Sequence, residues 1–282
     1  MKGRRRDIRG AIFRLVLLAS LAVAFITLGT LLFDVAGKGF KFLDPRFFTS
    51  PPSLDPQEAG ARPAILATLY LGLLLLVMTV PLGVGTAIYL EEYADKKRWY
   101  NRLLEVNIQN LAAVPSIVYG ILGLAFIVRG IGLDRVVLAG ALILTLLVLP
   151  TVIIAAREAI RAVPDSIRQA AYALGATRWQ VVSRQVLPAA IPGIATGSIL
   201  ALSRGIGETA PLIMVGALTY VAFDPSLLGP FTALPVLIYQ WTSFPQDDFR
   251  ALAATAIIVL LAMLMTLNAL AIWLRNRYQR RW

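Results

Sequence analysis

The sequence predicts an all-α polytopic membrane protein with six transmembrane helices. Three observations predict it. Hydrophobic residues make up 58% of the chain and charged residues 15%, with a mean hydropathy of +0.72, a balance that soluble domains do not carry. Apolar runs close to the roughly 20 residues needed to cross a bilayer recur along the chain. The Lys and Arg residues gather between alternate runs, which is how orientation in a membrane is encoded. There are no cysteines and no histidines, so disulfides, thiol chemistry and imidazole catalysis are removed. Any metal would need carboxylates, and Asp and Glu total only 16, so no metal site is expected.

The first span, about 14–33, follows "MKGRRRDIRG". It has the flank of a signal sequence, but its apolar run is too long and no small-x-small cleavage site follows, so a retained anchor is expected. The outer segment 34–62 contains "DPRFFTSPPSLDP", whose Pro and Asp favour turns over helix. The second span is about 63–89. "RLLEVNIQNL" then runs along the inner surface, with Asn107, Gln109 and Asn110 capping the third span or lining the inner mouth. That third span, about 112–128, is the shortest; Ser116 and Tyr119 in "VPSIVYG" are candidate pathway residues. The fourth is about 136–155 and the fifth about 189–218. Segment 219–250 includes "LLGPFTALPVLIYQW", which predicts a re-entrant or surface helix with Tyr239 and Trp241 at headgroup level. The sixth span is about 251–274, and its Asn268 is expected to hydrogen-bond between helices.

With the N-terminus inside, nineteen of the 27 Lys and Arg residues fall in inner segments and seven in outer ones. Both termini are therefore expected in the cytoplasm. The net charge of +11 then reads as topology signal and lipid-headgroup contact, and no nucleic-acid partner is expected. The remaining cation is Arg204, inside the fifth span.

That span contains "SRGIGETAP". Arg204 and Glu208 stand one helical turn apart and share a face. An ionisable residue near the bilayer centre costs at least about 2.5 kcal/mol and is by default a functional candidate. The plainer alternative is a self-neutralising pair, with Arg first in the less favourable order. Pro211 lacks an N–H and crowds the carbonyl of Gly207, while Gly205 and Gly207 allow bending or close helix approach. A kink or break beside the charged pair follows. Simple packing through small residues is the competing reading.

The loop between spans four and five, "REAIRAVPDSIRQAAYALGATRWQVVSRQVLPAAIPGI", predicts two short helices. Pro164, Asp165 and Ser166 start the first and Gly175 breaks it; "ATRWQVVSRQVL" forms the second before Pro188. The spacing resembles the EAA loop of importer-type ABC transporter permeases. Gln169, Ala170, Ala171, Gly175, Leu187 and Pro188 fall at its positions; Gln169 replaces its Glu and Gln185 its Ile. In that family the loop forms the coupling helix that docks on the ATPase subunit. The resemblance implies that Gln169, Ala170, Ala171, Tyr172, Gly175 and Arg178 in the 165–188 loop contact an ATPase. No G-x-x-x-x-G-K-[ST] loop occurs in the sequence, so ATP is not expected to bind this chain and no cofactor is assigned to it.

"RPAILATLYLGLLLLVMTVPLGVGTAIYLEEYA", "NLAAVPSIVYGILGLAFIV" and "SRGIGETAPLIMVGA" narrow the resemblance to PstA-type permease subunits of phosphate-specific ABC importers. These stretches and the loop cover most of 62–217. The resemblance implies a single permease domain over 1–282 of type I importer fold, with 1–61 supplying the first span and outer segment and 62–282 the permease core. It also implies a bacterial plasma-membrane location. The implied partners are a related PstC-type permease, an ATPase subunit dimer, an external phosphate-binding protein, phosphate and membrane lipid. On that footing Arg204, Glu208 and Thr209 are the pathway or gating residues, with Ser116, Tyr119 and Asn110 as weaker candidates. Arginine's planar fork holds two oxyanion oxygens, while a carboxylate accepts the proton that phosphate brings and sulfate lacks. Another version has Glu208 switching partners as a gate. The runner-up function is a permease for sulfate, molybdate or phosphonate. A membrane-embedded enzyme lacks the necessary groups, and an autonomous channel gives no reason for the docking loop.

Overall fold

The computed structural model describes residues 8–95, 97–217 and 221–278. The basic N-terminal stretch through Asp7, position 218 at the end of the predicted fifth span and the last four residues lie outside the described residues. Twelve α-helices in the described residues connect without any strand; the one β-bridge joins Val136 to Pro230.

Five continuous helical runs are long and apolar enough to cross a membrane: Gly10–Phe42, Arg62–Tyr93, Val137–Arg161, Arg178–Ile206 and Asp247–Arg277. A sixth span exists only if the bent pair Trp99–Ala112 and Ser116–Gly130 is counted, and its two parts meet at 102°. The order is α1 (Ile8–Gly39), α2 (Pro45–Thr49), α3 (Arg62–Ile88), α4 (Trp99–Ala112), α5 (Ser116–Gly123) and α6 (Val137–Arg161). Then follow α7 (Asp165–Ala173), α8 (Arg178–Val181), α9 (Leu187–Ile206), α10 (Ala210–Val215), α11 (Leu234–Ser243) and α12 (Asp247–Tyr278). Helices α3, α5 and α8 each run on into a π-helical stretch, Tyr89–Tyr93, Leu124–Gly130 and Val182–Val186.

The centre of the bundle is α6, packed between α3 and α9. Leu71, Leu75, Ile143, Leu144, Val152 and Ala201 are all nearly or fully buried there. Small residues bring α9 to α6. Gly193, Gly197, Ala201 and Gly205 recur every four residues, and a Cβ at Gly193 or Gly197 would run into Ala159 or Ala155. Close approach of this kind is how helices associate where no hydrophobic effect separates protein from lipid.

Several boundaries differ from the sequence reading. The first helix extends past 33 to Gly39, the first breakers after Phe33 being Gly37 and Gly39. The outer segment is not all turn: Asp44 accepts from the Phe47 amide at 3.1 Å and Pro45 opens α2, the arrangement that favours a helix start. Trp241 points into the protein rather than out to headgroups. It is 1% exposed, in a cluster with Phe47, whose ring centroid lies 6.2 Å away. Tyr239, on the other face of α11, is exposed. The fifth span is not continuous; it ends at Ile206 and resumes at Ala210.

Candidate functional site

The break between α9 and α10 sets out the charged pair. The Gly207 amide donates to the Arg204 carbonyl at 3.1 Å and the Glu208 amide to the Gly205 carbonyl at 3.2 Å, so the helix closes in tight turns. Pro211 sits in the first turn of α10, where a missing N–H costs nothing. It starts the new helix rather than straining the old one. The two glycines part company. A Cβ on Gly205 would lie 2.7 Å from Val148 and 2.8 Å from Leu75, so Gly205 serves packing against α6 and α3. A Cβ on Gly207 would meet only ordinary contacts.

Arg204 Nε lies 3.4 Å from Glu208 Oε1. The guanidinium side chain is 66% exposed and the carboxylate 18%. At that distance and exposure the pair is a loose one, worth little in stability. Arg204 borders a crevice of about 10 Å³ with Leu111, Ala112, Val114 and Thr151, which places it beside the α4–α5 bend. Thr209, partly buried, precedes α10 as its N-cap residue without a side-chain cap bond. Tyr119 is 9% exposed, and its hydroxyl donates to the Leu111 carbonyl at 2.8 Å. It pins the bend, so its hydroxyl proton is taken while its oxygen can still accept. Ser116, partly buried, opens α5, and Asn110 is exposed near the end of α4. Ser203, adjacent to Arg204, hydrogen-bonds Asn268 across α9 and α12.

A second constellation, absent from the sequence reading, lies at the far ends of α3 and α6. Glu91, 4% exposed, receives Arg157 at 2.9 Å and Arg161 at 2.7 Å. Arg157, 7% exposed, also pairs with Glu105 of α4. Next to it, Arg168 of α7 donates to Glu92 at 2.9 and 3.1 Å and to the carbonyls of Val163 and Ile160. Four helical segments are thereby tied at one point: the end of α3, α4, α6 and α7. Sequence reasoning counted these arginines as topology charges. The signal that could have found their role is "LEEYA", two adjacent carboxylates at the end of a span, together with the five basic residues of the 156–188 loop.

The elbow that follows is closed by its own backbone. Gly175 adopts φ +79° with open space around its α-carbon, so the left-handed backbone, not packing, calls for glycine. Its amide donates to Tyr172 O at 2.9 Å and that of Ala176 to Ala171 O at 3.1 Å, the Schellman pattern. Thr177 and Gln180 then form a reciprocal capping box for α8. Gln169, Ala170, Tyr172, Gly175 and Arg178 are exposed and Ala171 is partly buried; Arg178 stacks 5.1 Å from the Tyr93 ring centroid. The sequence reading missed Leu174, 90% exposed, and Trp179, 62% exposed. Together with Tyr172 they give the elbow an apolar face of the kind that marks a protein contact.

Residues 79–282 match the family described as binding-protein-dependent transport system inner membrane component. The chain is 34% identical over 282 residues to phosphate transport system permease protein PstA 1 of Mycobacterium tuberculosis, covering 98% of this chain and 92% of that protein. It is 36% identical over 248 residues to the PstA protein of Mycobacterium leprae, covering 86% of this chain and 80% of that one. In fold it is similar to a chain of a bacterial alginate ABC transporter, with TM-score 0.69, 18% identity and 96% of each chain covered.

Proposed function

This chain belongs to the family of binding-protein-dependent transport system inner membrane components, and from that premise we propose that it is a PstA-type permease subunit carrying inorganic phosphate into the cytoplasm. The observation that carries the reading is similarity to phosphate permeases along nearly the whole length of the chain. The other oxyanions are not favoured.

The chain lies in the bacterial plasma membrane with both termini inside, as the distribution of Lys and Arg favours. Residues 62–282 form the permease core and 1–61 add an anchoring helix and outer segment. A PstC-type permease completes the passage, and an external binding protein delivers phosphate. ATP is bound and hydrolysed by an ATPase dimer on the inner side, so this chain needs no cofactor. That dimer receives the α7–α8 elbow, with Tyr172, Leu174 and Trp179 entering its groove and Gln169, Ala170, Ala171, Gly175 and Arg178 framing the contact. Arg168 ties the elbow to Glu92 at the end of α3, and the adjacent Glu91–Arg157–Glu105 pairs tie that end to α6 and α4, so a push on α7 moves several helices together.

Arg204 offers a guanidinium that Glu208 restrains only loosely, and two of its donors can hold two phosphate oxygens. Glu208 accepts the proton of HPO4 or H2PO4, which sulfate does not bring. Thr209 adds a hydroxyl at the same break, and Ser116 and Asn110 lie on the neighbouring bend. In the reconstituted four-component complex, phosphate should stimulate ATP hydrolysis and labelled phosphate should accumulate, with excess sulfate, molybdate or phosphonate competing poorly. Equal transport of sulfate would overturn the substrate. Unchanged uptake in both Arg204→Ala and Glu208→Gln, with normal assembly, would overturn the pathway.

A further inference from the structure

A recess of about 700 Å³ lies where α5 and α6 are joined. Its polar wall is Arg129, Asp134 and Arg135; Leu124, Val128 and Leu228 supply apolar wall. It adjoins the start of α6, while the α7–α8 elbow follows its end. The 25 residues between rise about 37 Å, so the recess and the elbow open on opposite sides of the membrane. With the elbow inside, the recess faces outward.

Three features mark it as more than a gap between loops. First, Arg129 and Arg135 are exposed, and among the described residues neither makes an ion pair. The amides of Val137 and Leu138 at the start of α6 are taken by the carbonyls of Gly229 and Leu227 at 3.2 and 3.1 Å. The cationic donors of the recess are therefore the two guanidiniums. Second, Asp134 has φ +61°, the one non-glycine residue in that region among the described residues. Such a backbone costs of order 1 kcal/mol or more and persists where surroundings hold it, often at binding sites. Third, Arg135 lies against Gly216: a Cβ there would be 2.7 Å from its Cδ and 2.8 Å from its Nε. Gly216 closes α10, and Glu208 stands just before that helix. Six residues of helix, about 9 Å, thus separate Arg135 from the Arg204–Glu208 break.

We propose that this recess is an outer receiving site for inorganic phosphate, which Arg129 and Arg135 draw from the binding protein before it passes along α10 to Arg204. The inference rests on the phosphate-permease reading and adds a station to it. Two guanidiniums and one carboxylate leave a net positive recess that keeps an acceptor for the proton phosphate carries. Its volume admits the ion with its hydration shell, so the hold is weak and release inward is not impeded.

The test uses the complete complex in proteoliposomes, with labelled phosphate and purified phosphate-loaded binding protein. In the Arg129→Gln/Arg135→Gln variant, maximal uptake should fall about fivefold, while the binding-protein concentration giving half-maximal rate stays the same. The double Lys variant should restore most of the rate. Arg46→Gln, another exposed cation of the outer segment, should leave uptake unchanged. Arg129→Gln alone, away from Gly216, should give a smaller loss of the same kind and serves if the double variant does not assemble. Wild-type uptake with an undiminished rate in the variants overturns the receiving site. An unchanged maximal rate with a raised half-saturating concentration also overturns it and assigns the arginines to binding-protein docking. Absence of phosphate uptake in the wild type overturns the permease reading itself.

Discussion

Among the places where arginine meets carboxylate in the described residues, two are built in opposite ways. At the α3–α6 base, Arg157 and Glu91 are 7% and 4% exposed and 2.9 Å apart, with Arg161 and Glu105 closing round them. At the α9–α10 break, Arg204 is 66% exposed and stands 3.4 Å from Glu208. The first is saturated: taking away one partner leaves buried charge only partly compensated. The second is half spent, and its guanidinium has donors to give to something else. The same chemical pair serves as a joint in one place and as an open hand in the other.

The sharpest way to break that comparison is Arg157→Met. It leaves Glu91 and Glu105 facing one another with Arg161 alone, and destabilisation of about 3–5 kcal/mol is expected, read as a large loss of thermal stability in the purified complex. Little change there would mean the base is not a joint. Next is Gly205→Ala, on the turn that carries Arg204 but on its packed side. Overpacking against Val148 and Leu75 should cost about 1–3 kcal/mol, whereas Gly207→Ala should be tolerated within about 0.5 kcal/mol. Equal effects would show that the break, rather than the α9–α6 contact, needs both glycines. The smallest stability effect belongs to Arg204→Met, about 0.5 kcal/mol or less, yet it should reduce phosphate uptake by about tenfold or more. A variant as unstable as Arg157→Met would place Arg204 among the joints.

Much of this architecture was legible in the sequence because hydrophobicity and charge report directly on what lipid tolerates. The run from Val137 to Ala156 has no charge to mislead, and the predicted start of the fourth span lies within a turn of the observed one. The helix–Gly–helix elbow was legible because one backbone conformation demands one residue, Gly175. Two kinds of feature were not. A bend depends on partners: Tyr119 holds the α4–α5 corner through Leu111, eight residues away, and nothing in local propensity announces a 102° turn. An ion-pair network depends on distant contacts too. Glu91 meets Arg157 and Arg161 only because α3 and α6 lie side by side, and counting charges by loop hides that neighbourhood. The four-residue ladder from Gly193 to Gly205 was readable in principle, as small residues at constant spacing.

Helix α1 carries a consequence for biosynthesis. Across its membrane-crossing part it buries almost nothing; its principal neighbour is α12, where the Thr255 hydroxyl reaches the Gly39 carbonyl at 2.7 Å. Of the described spans, the first to be made is thus matched with the last. At roughly 5–20 residues per second, α1 waits on the order of 10–40 s in the bilayer before its mate is made. During that interval its orientation rests on the basic residues at its foot, and α1 joins the bundle only once α12 has been made.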